Sequence, residues 1–190
     1  MQMASADDQT MVQVQNGRII FNWRKGPSGV YPRWHKVLPR FQAALDKFTG
    51  MLASEKLEQP AFNQWEVVYV NHLLKGQDWG DASDWPALLP GLVVESSRVT
   101  AGTVESLACS LHAIMPDNRG RIHIDLFHGF SGADGIAPEI LSLQIAARGG
   151  MAAMGTGPAY DGLELAHGAI VQTFCDITGR EAQVRWEREV

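Results

Sequence analysis

Only two cysteines occur among the 190 residues, Cys109 and Cys175, and neither sits in a CxxC or CxxH spacing. That scarcity excludes a disulfide-stapled mini-protein and argues against a zinc knuckle or a thioredoxin-like motif, which leaves buried free thiols as the simple reading. Long apolar runs are missing as well: nothing approaches the roughly 18 uninterrupted apolar residues that a spanning helix requires. The start, MQMASADDQTMVQV, has neither the basic nor the apolar part of a secretory signal. The expected compartment is therefore the cytoplasm, with no membrane partner. Positive charge is also short, 16 Lys+Arg against 21 Asp+Glu for a net charge of −5, which speaks against a dedicated nucleic-acid binder. What is present, 45% hydrophobic residues, suits a globular chain and excludes wholesale disorder or a collagen-like fibre. A length of 190 residues suits a single domain spanning 1–190.

The net charge conceals a lopsided distribution. Residues 18–56 hold eight basic side chains against Asp46 and Glu55, whereas residues 57–117 hold eight acids against two bases. Such blocks either attract each other within one fold or leave a basic face for an anionic partner.

Met11–Gln15 and Arg18–Arg24 flank Asn16-Gly17, the dipeptide best suited to a type I′ turn, and predict a β-hairpin. Pairing Gln15 with Arg18 puts Val12, Val14, Ile19, Phe21 and Trp23 on one face and Gln13, Gln15, Arg18, Asn22 and Arg24 on the other. Trp34, Leu38, Phe41, Leu45, Phe48 and Leu52 then form a helical apolar stripe. Pro39 predicts a kink or a break between a short segment and a main helix beginning near residue 39. Arg33, Lys36, Arg40 and Lys47 make a second, basic stripe, read either as a solvated face or as a contact for a partner.

Trp65 to Leu74 reads as a strand. Residues 76–91 form a long loop carrying Trp79 and Trp85, which serve either as a lid or partner-binding element or as a pair tucked back onto the core. A meander over about 98–115, 119–128 and 139–148 follows, with Leu107, Cys109, Leu111, Ala113 and Met115, then Ile122, Ile124 and Leu126, then Leu141, Leu143 and Ile145 on a common apolar face. Residues 149–160 read as a glycine-rich connector, and a final helix over about 161–178 opens with Asp161 and Glu164 in a capping-box-like start. The order ββ-α-β-βββ-α predicts an α+β fold: an antiparallel sheet of hairpin, central strand and meander, packed on one face by two α-helices.

Four segments, QVQNGRIIFNWRK (13–25), YPRW (31–34), NQWEVVYVNHL (63–73) and AHGAIVQTFCDIT (166–178) followed by Trp186, resemble a sporadically distributed prokaryotic protein family of unknown function. The resemblance spans nearly the whole chain. It implies no catalytic residues, because none are established for the family. It does imply a further N-terminal segment with a strand ahead of Met11, so the chain looks N-terminally truncated and is expected to leave a sheet edge open to another chain, including a second copy.

The candidate chemistry centres on His123-Ile-Asp-Leu-Phe-His128. Strand periodicity aims His123 and Asp125 one way and His128 the other, and the hairpin register adds Ser110 and His112 to the first group. The resulting His112, His123 and Asp125 patch could ligate a metal or transfer protons, or it is simply the polar side of a one-sided sheet. Gly129-Phe-Ser131-Gly-Ala133 resembles a nucleophile elbow but lacks its last glycine and its strand-to-helix context. Gly149–Gly162 lacks the lysine and serine or threonine of a phosphate loop. The leading expectation is a non-enzymatic interaction or regulatory module with a protein partner and no cofactor. The alternatives are a metal-binding protein or hydrolase-type enzyme on the His/His/Asp patch, and a small-ligand site between sheet and helices, with Trp79, Trp85, Arg33, Lys36 and Arg40 as further contact candidates.

Overall fold

The computed structural model describes residues 1–26, 31–93, 101–131, 137–151 and 159–186. It divides into two compact units, Met1–Ala61 and Phe62–Val190. The α+β class is as the sequence predicts, but the strands are shared between two antiparallel sheets, of three and four strands.

The first unit holds β1 (Gln2–Ala4), β2 (Thr10–Gln15), β3 (Arg18–Trp23) and α1 (Trp34–Ser54), with sheet order β1-β2-β3. The hairpin register is the one read from the sequence: Gln15 faces Arg18, Val14 faces Ile19 and Val12 faces Phe21. Gly17 takes a positive φ of 81°, but Asn16 does not, so the turn is not the expected type I′, which needs positive φ at both central residues. β1, only three residues long, carries too short a pattern to be legible from sequence alone. Of the kink or break expected at Pro39, the break does not occur, since α1 runs continuously through it. Proline sits in the second turn, so the only intrahelical bond it forfeits is the one to the His35 carbonyl. Leu38 and Leu45 of the predicted stripe are buried, while Lys36, Arg40 and Lys47 are exposed on the helix and Arg33 precedes it at the N-cap.

In the second unit, β4 (Gln64–Leu74), β5 (Ala108–Ile114), β6 (Arg121–Phe130) and β7 (Glu139–Gly150) form a sheet ordered β4-β7-β6-β5, accompanied by α2 (Trp85–Leu88), α3 (Ala159–Ile177) and α4 (Arg180–Arg185). β4 leaves the hairpin to it and joins the meander because β7 offers a continuous ladder from Gln64↔Gly150 to Leu74↔Ile140, whereas the hairpin strands are six residues long. That ladder puts Trp65, Val67, Tyr69 and Leu73 on one face with Ala147, Ile145 and Leu141. α3 packs on this face against β4 and β7. β7 is one of the two inner strands, and its Leu141, Leu143, Ile145 and Ala147 are fully buried. α3 begins at Ala159, which places Asp161 within its first turn and not at the cap.

Most of the segment 149–160 lies outside the described residues, as do 94–100 at the start of the meander and 132–136 between β6 and β7. Among the described residues, no helix is long and apolar enough to cross a membrane.

Candidate functional site

The face of the four-stranded sheet opposite α3 assembles the predicted patch, because the two registers place its members in adjacent ranks. Ser110 pairs with Asp125 and His112 with His123 on β5 and β6, and β7 adds Gln144 and Ala146 alongside. The His112 and His123 rings stand 4.3 Å apart, edge to face. The Ser110 hydroxyl donates to Asp125 Oδ1 at 2.7 Å and lies 3.5 Å from His112 Nε2. Serine is thus in the middle of the three and gives its proton to the carboxylate. Nucleophilic activation would need the hydroxyl to donate to an imidazole that the carboxylate orients.

Arg148, which no sequence motif marks, fixes the state of His123. Its Nε donates to His123 Nε2 at 3.0 Å, while Glu66 lies 3.9 Å from its guanidinium. A nitrogen that accepts this bond carries no proton, so His123 is neutral with its hydrogen on Nδ1. Loss of solvent, the Arg148 charge and the neighbouring His112 hold the His123 pKa below the ordinary imidazole value, outweighing Asp125 and Glu66. The lone pair a metal would need is already committed to Arg148, and among the described residues no group of three potential ligands is placed to hold a metal ion. Arg148 is legible from sequence only with the β6–β7 register, in which it faces Arg121, and the eight-residue connection 131–138 leaves that register open.

His128 points to the α3 side, as the strand period requires. Its Nε2 is 2.8 Å from Glu139 Oε1, and Lys75 Nζ bonds the other carboxylate oxygen at 2.8 Å. Lys75 and His128 both lower the Glu139 pKa, the lysine hydrogen bond most. The Trp79 and Trp85 rings pack 5.7 and 5.2 Å from the His128 ring, and only 4% and 2% of these residues is exposed. Of the two roles open to Trp79 and Trp85, the structure shows the core one: both indoles are buried, and the Trp79 Nε1 bond to the Leu73 carbonyl holds the segment leading to Trp79 against the end of β4. Asp78 anchors the same loop by accepting from the Leu74 amide and from Trp186 Nε1, both at 2.7 Å.

Ser131 directly follows β6 and its amide donates to the Pro138 carbonyl, while Gly132 and Ala133 of the elbow-like motif lie outside the described residues. Between the sheet and α3, Tyr69 Oη and His167 Nδ1 are 2.9 Å apart, and burial depresses the His167 pKa. The groove found on the sheet, about 320 Å³, is open and lies along β5 and β6, where Ala108, Ser110, Asp125 and Phe127 line it.

Both depressed histidines make a pH prediction. Each binds its proton more weakly in the folded than in the unfolded chain. Their stabilisation is complete above the unfolded pKa of about 6.5 and is lost as pH falls below it. Histidine ring resonances followed by NMR should give midpoints for His123 and His167 below that value, and urea stability should fall between neutral and mildly acidic pH. A stability rising over that interval would contradict the assignment.

Comparisons with protein-family models, with curated proteins and with solved structures find no match for this chain.

Proposed function

We propose that this chain is a non-enzymatic, cytoplasmic interaction module of prokaryotic origin that binds a protein partner on the open face of its four-stranded sheet. The observation that carries the proposal is the asymmetry of that sheet. One face is packed by α3, while the other leaves Val68 44%, Val70 54% and Phe127 49% exposed beside an ordered polar rank of Ser110, His112, His123, Asp125 and Arg148. Exposed apolar side chains rimmed by pre-oriented polar groups characterise protein-binding surfaces. The polar members are already bonded to one another, so little side-chain freedom is lost when a partner docks.

A photoreactive side chain at position 127 should cross-link a discrete foreign polypeptide in cells of the native host. The same group at Val184, which is 71% exposed outside this face, should not. Val70→Arg should abolish the adduct without altering the circular-dichroism spectrum. Recovery of only the chain's own peptides, or equal labelling from both positions, would defeat the reading. The metal-binding or hydrolase reading rests on the closeness of the His112 and His123 rings. It is decided by elemental analysis of protein purified without a histidine tag, where a stoichiometric transition metal would overturn the non-enzymatic reading.

A further inference from the structure

The outer edge of β5 is unlike a protected sheet edge. His128 donates to the Leu107 carbonyl and Met115 to the Gly120 carbonyl, which fixes the alternation of the β5–β6 ladder. Leu107, Cys109, Leu111, Ala113 and Met115 turn their main chain toward β6, so Ala108, Ser110, His112 and Ile114 turn theirs outward. No described strand pairs with that side. Edges are normally blunted by lysine, other charges, proline or a bulge, and the β5 sequence ACSLHAI contains none of these residues. The opposite edge is different: β4 carries Glu66, and its last amide is taken by Asp78. Leu111 and Ile114 on β5 are 42% and 67% exposed.

We propose that β5 pairs antiparallel with β5 of a second copy about a two-fold axis at Leu111, joining two four-stranded sheets into one. The sequence of the strand is self-complementary in this register. Ser110 faces His112 of the second copy, Cys109 faces Ala113 and Ala108 faces Ile114, so outward main chains meet outward main chains and form about eight hydrogen bonds. No charge opposes a like charge, because the strand has none. Leu111 meets its own copy on the α3 side, and Ile114 lands over the small Ala108 at the open groove that Phe127 also lines. The pairing covers both exposed apolar side chains. It also continues the polar rank across the axis, with His112 of one copy beside the Ser110–Asp125 pair of the other. This interface uses the strand edge and reaches the open sheet face only at the groove beside Ala108 and Phe127, leaving Val68 and Val70 for a different partner.

Sedimentation velocity of the full chain over a wide concentration range should show a species of twice the 20.9 kDa chain mass. Leu111→Lys places two ammonium groups against each other at the axis and should halve that mass. His112→Pro removes an outward amide along with the imidazole but no bond of the β5–β6 ladder, and provides the same readout if the lysine variant fails to fold. In a Cys109→Ala, Cys175→Ala background, Leu111→Cys should oxidise to a covalent dimer, since directly opposed residues of a non-hydrogen-bonded antiparallel pair have Cα atoms about 4.5 Å apart. Val184→Cys in that background should not. A monomer at every concentration, a dimer undiminished by both edge variants, or cross-linking no faster at 111 than at 184 would each overturn the proposal.

Discussion

Gly162→Ala should destabilise the second unit by about 2–3 kcal/mol, although alanine in place of glycine within a helix ordinarily gains close to 1 kcal/mol. The reason is Trp65. A Cβ at position 162 would lie 2.4 Å from Trp65 Cδ1 and 2.5 Å from Nε1. The indole cannot retreat, because a Cβ at Gly149 would likewise come within 2.4 Å of Trp65 Cζ2, so backbone stands close on both sides of a ring that is 4% exposed. Overpacking therefore exceeds the propensity gain. Gly168→Ala in the same helix is the matched control: nothing lies within 4 Å of its added Cβ, and the substitution should stabilise by roughly 0.5–1 kcal/mol. Urea denaturation of the two variants reads opposite signs from one chemical change. A neutral or stabilising Gly162→Ala would show that Trp65 is not clamped between α3 and β7.

Trp85→Ala should cost about 3–5 kcal/mol, the range for truncating a buried large aromatic. Trp85 is 2% exposed, meets Trp79 edge to face at 5.4 Å and stands 5.2 Å from His128. Its loss would open a cavity at the end of the sheet where Leu88 and Leu89 are also buried. Thermal unfolding should shift down by many degrees, and the near-ultraviolet tryptophan signal should collapse. Phe127→Ala, at a residue 49% exposed, should leave stability nearly unchanged. If Trp85→Ala proved as mild as Phe127→Ala, the 76–91 segment would be a mobile lid after all.

Trp65 and Trp85 are visible in the sequence as large aromatics, but neither the glycine clamp nor the inward turn of the loop is. Gly162 reads as an ordinary helix glycine, and its role follows only from the close approach of α3 to the Trp65 ring, a contact between residues 97 positions apart. Similarly, His112, His123, Asp125 and Ser110 could be brought together by register alone, since they belong to one short hairpin joined at Pro116–Gly120. Arg148 and Glu66 join them from β7 and β4, across connections whose length does not specify pairing.

Local patterning determined the hairpin at Asn16-Gly17, the α1 stripe, the strand alternation that sorts polar from apolar faces, and the α+β class. Each depends on turn chemistry or on a period of two or 3.6, which a chain carries in its own order of residues. Tertiary structure alone decided that the strands separate into two sheets, that α1 continues through Pro39, that the tryptophan loop closes inward, and that His123 gives its lone pair to Arg148. Those outcomes turn on competition between distant partners, in which the longer ladder, the tighter ring packing and the better-placed donor prevail, and no local pattern encodes such comparisons.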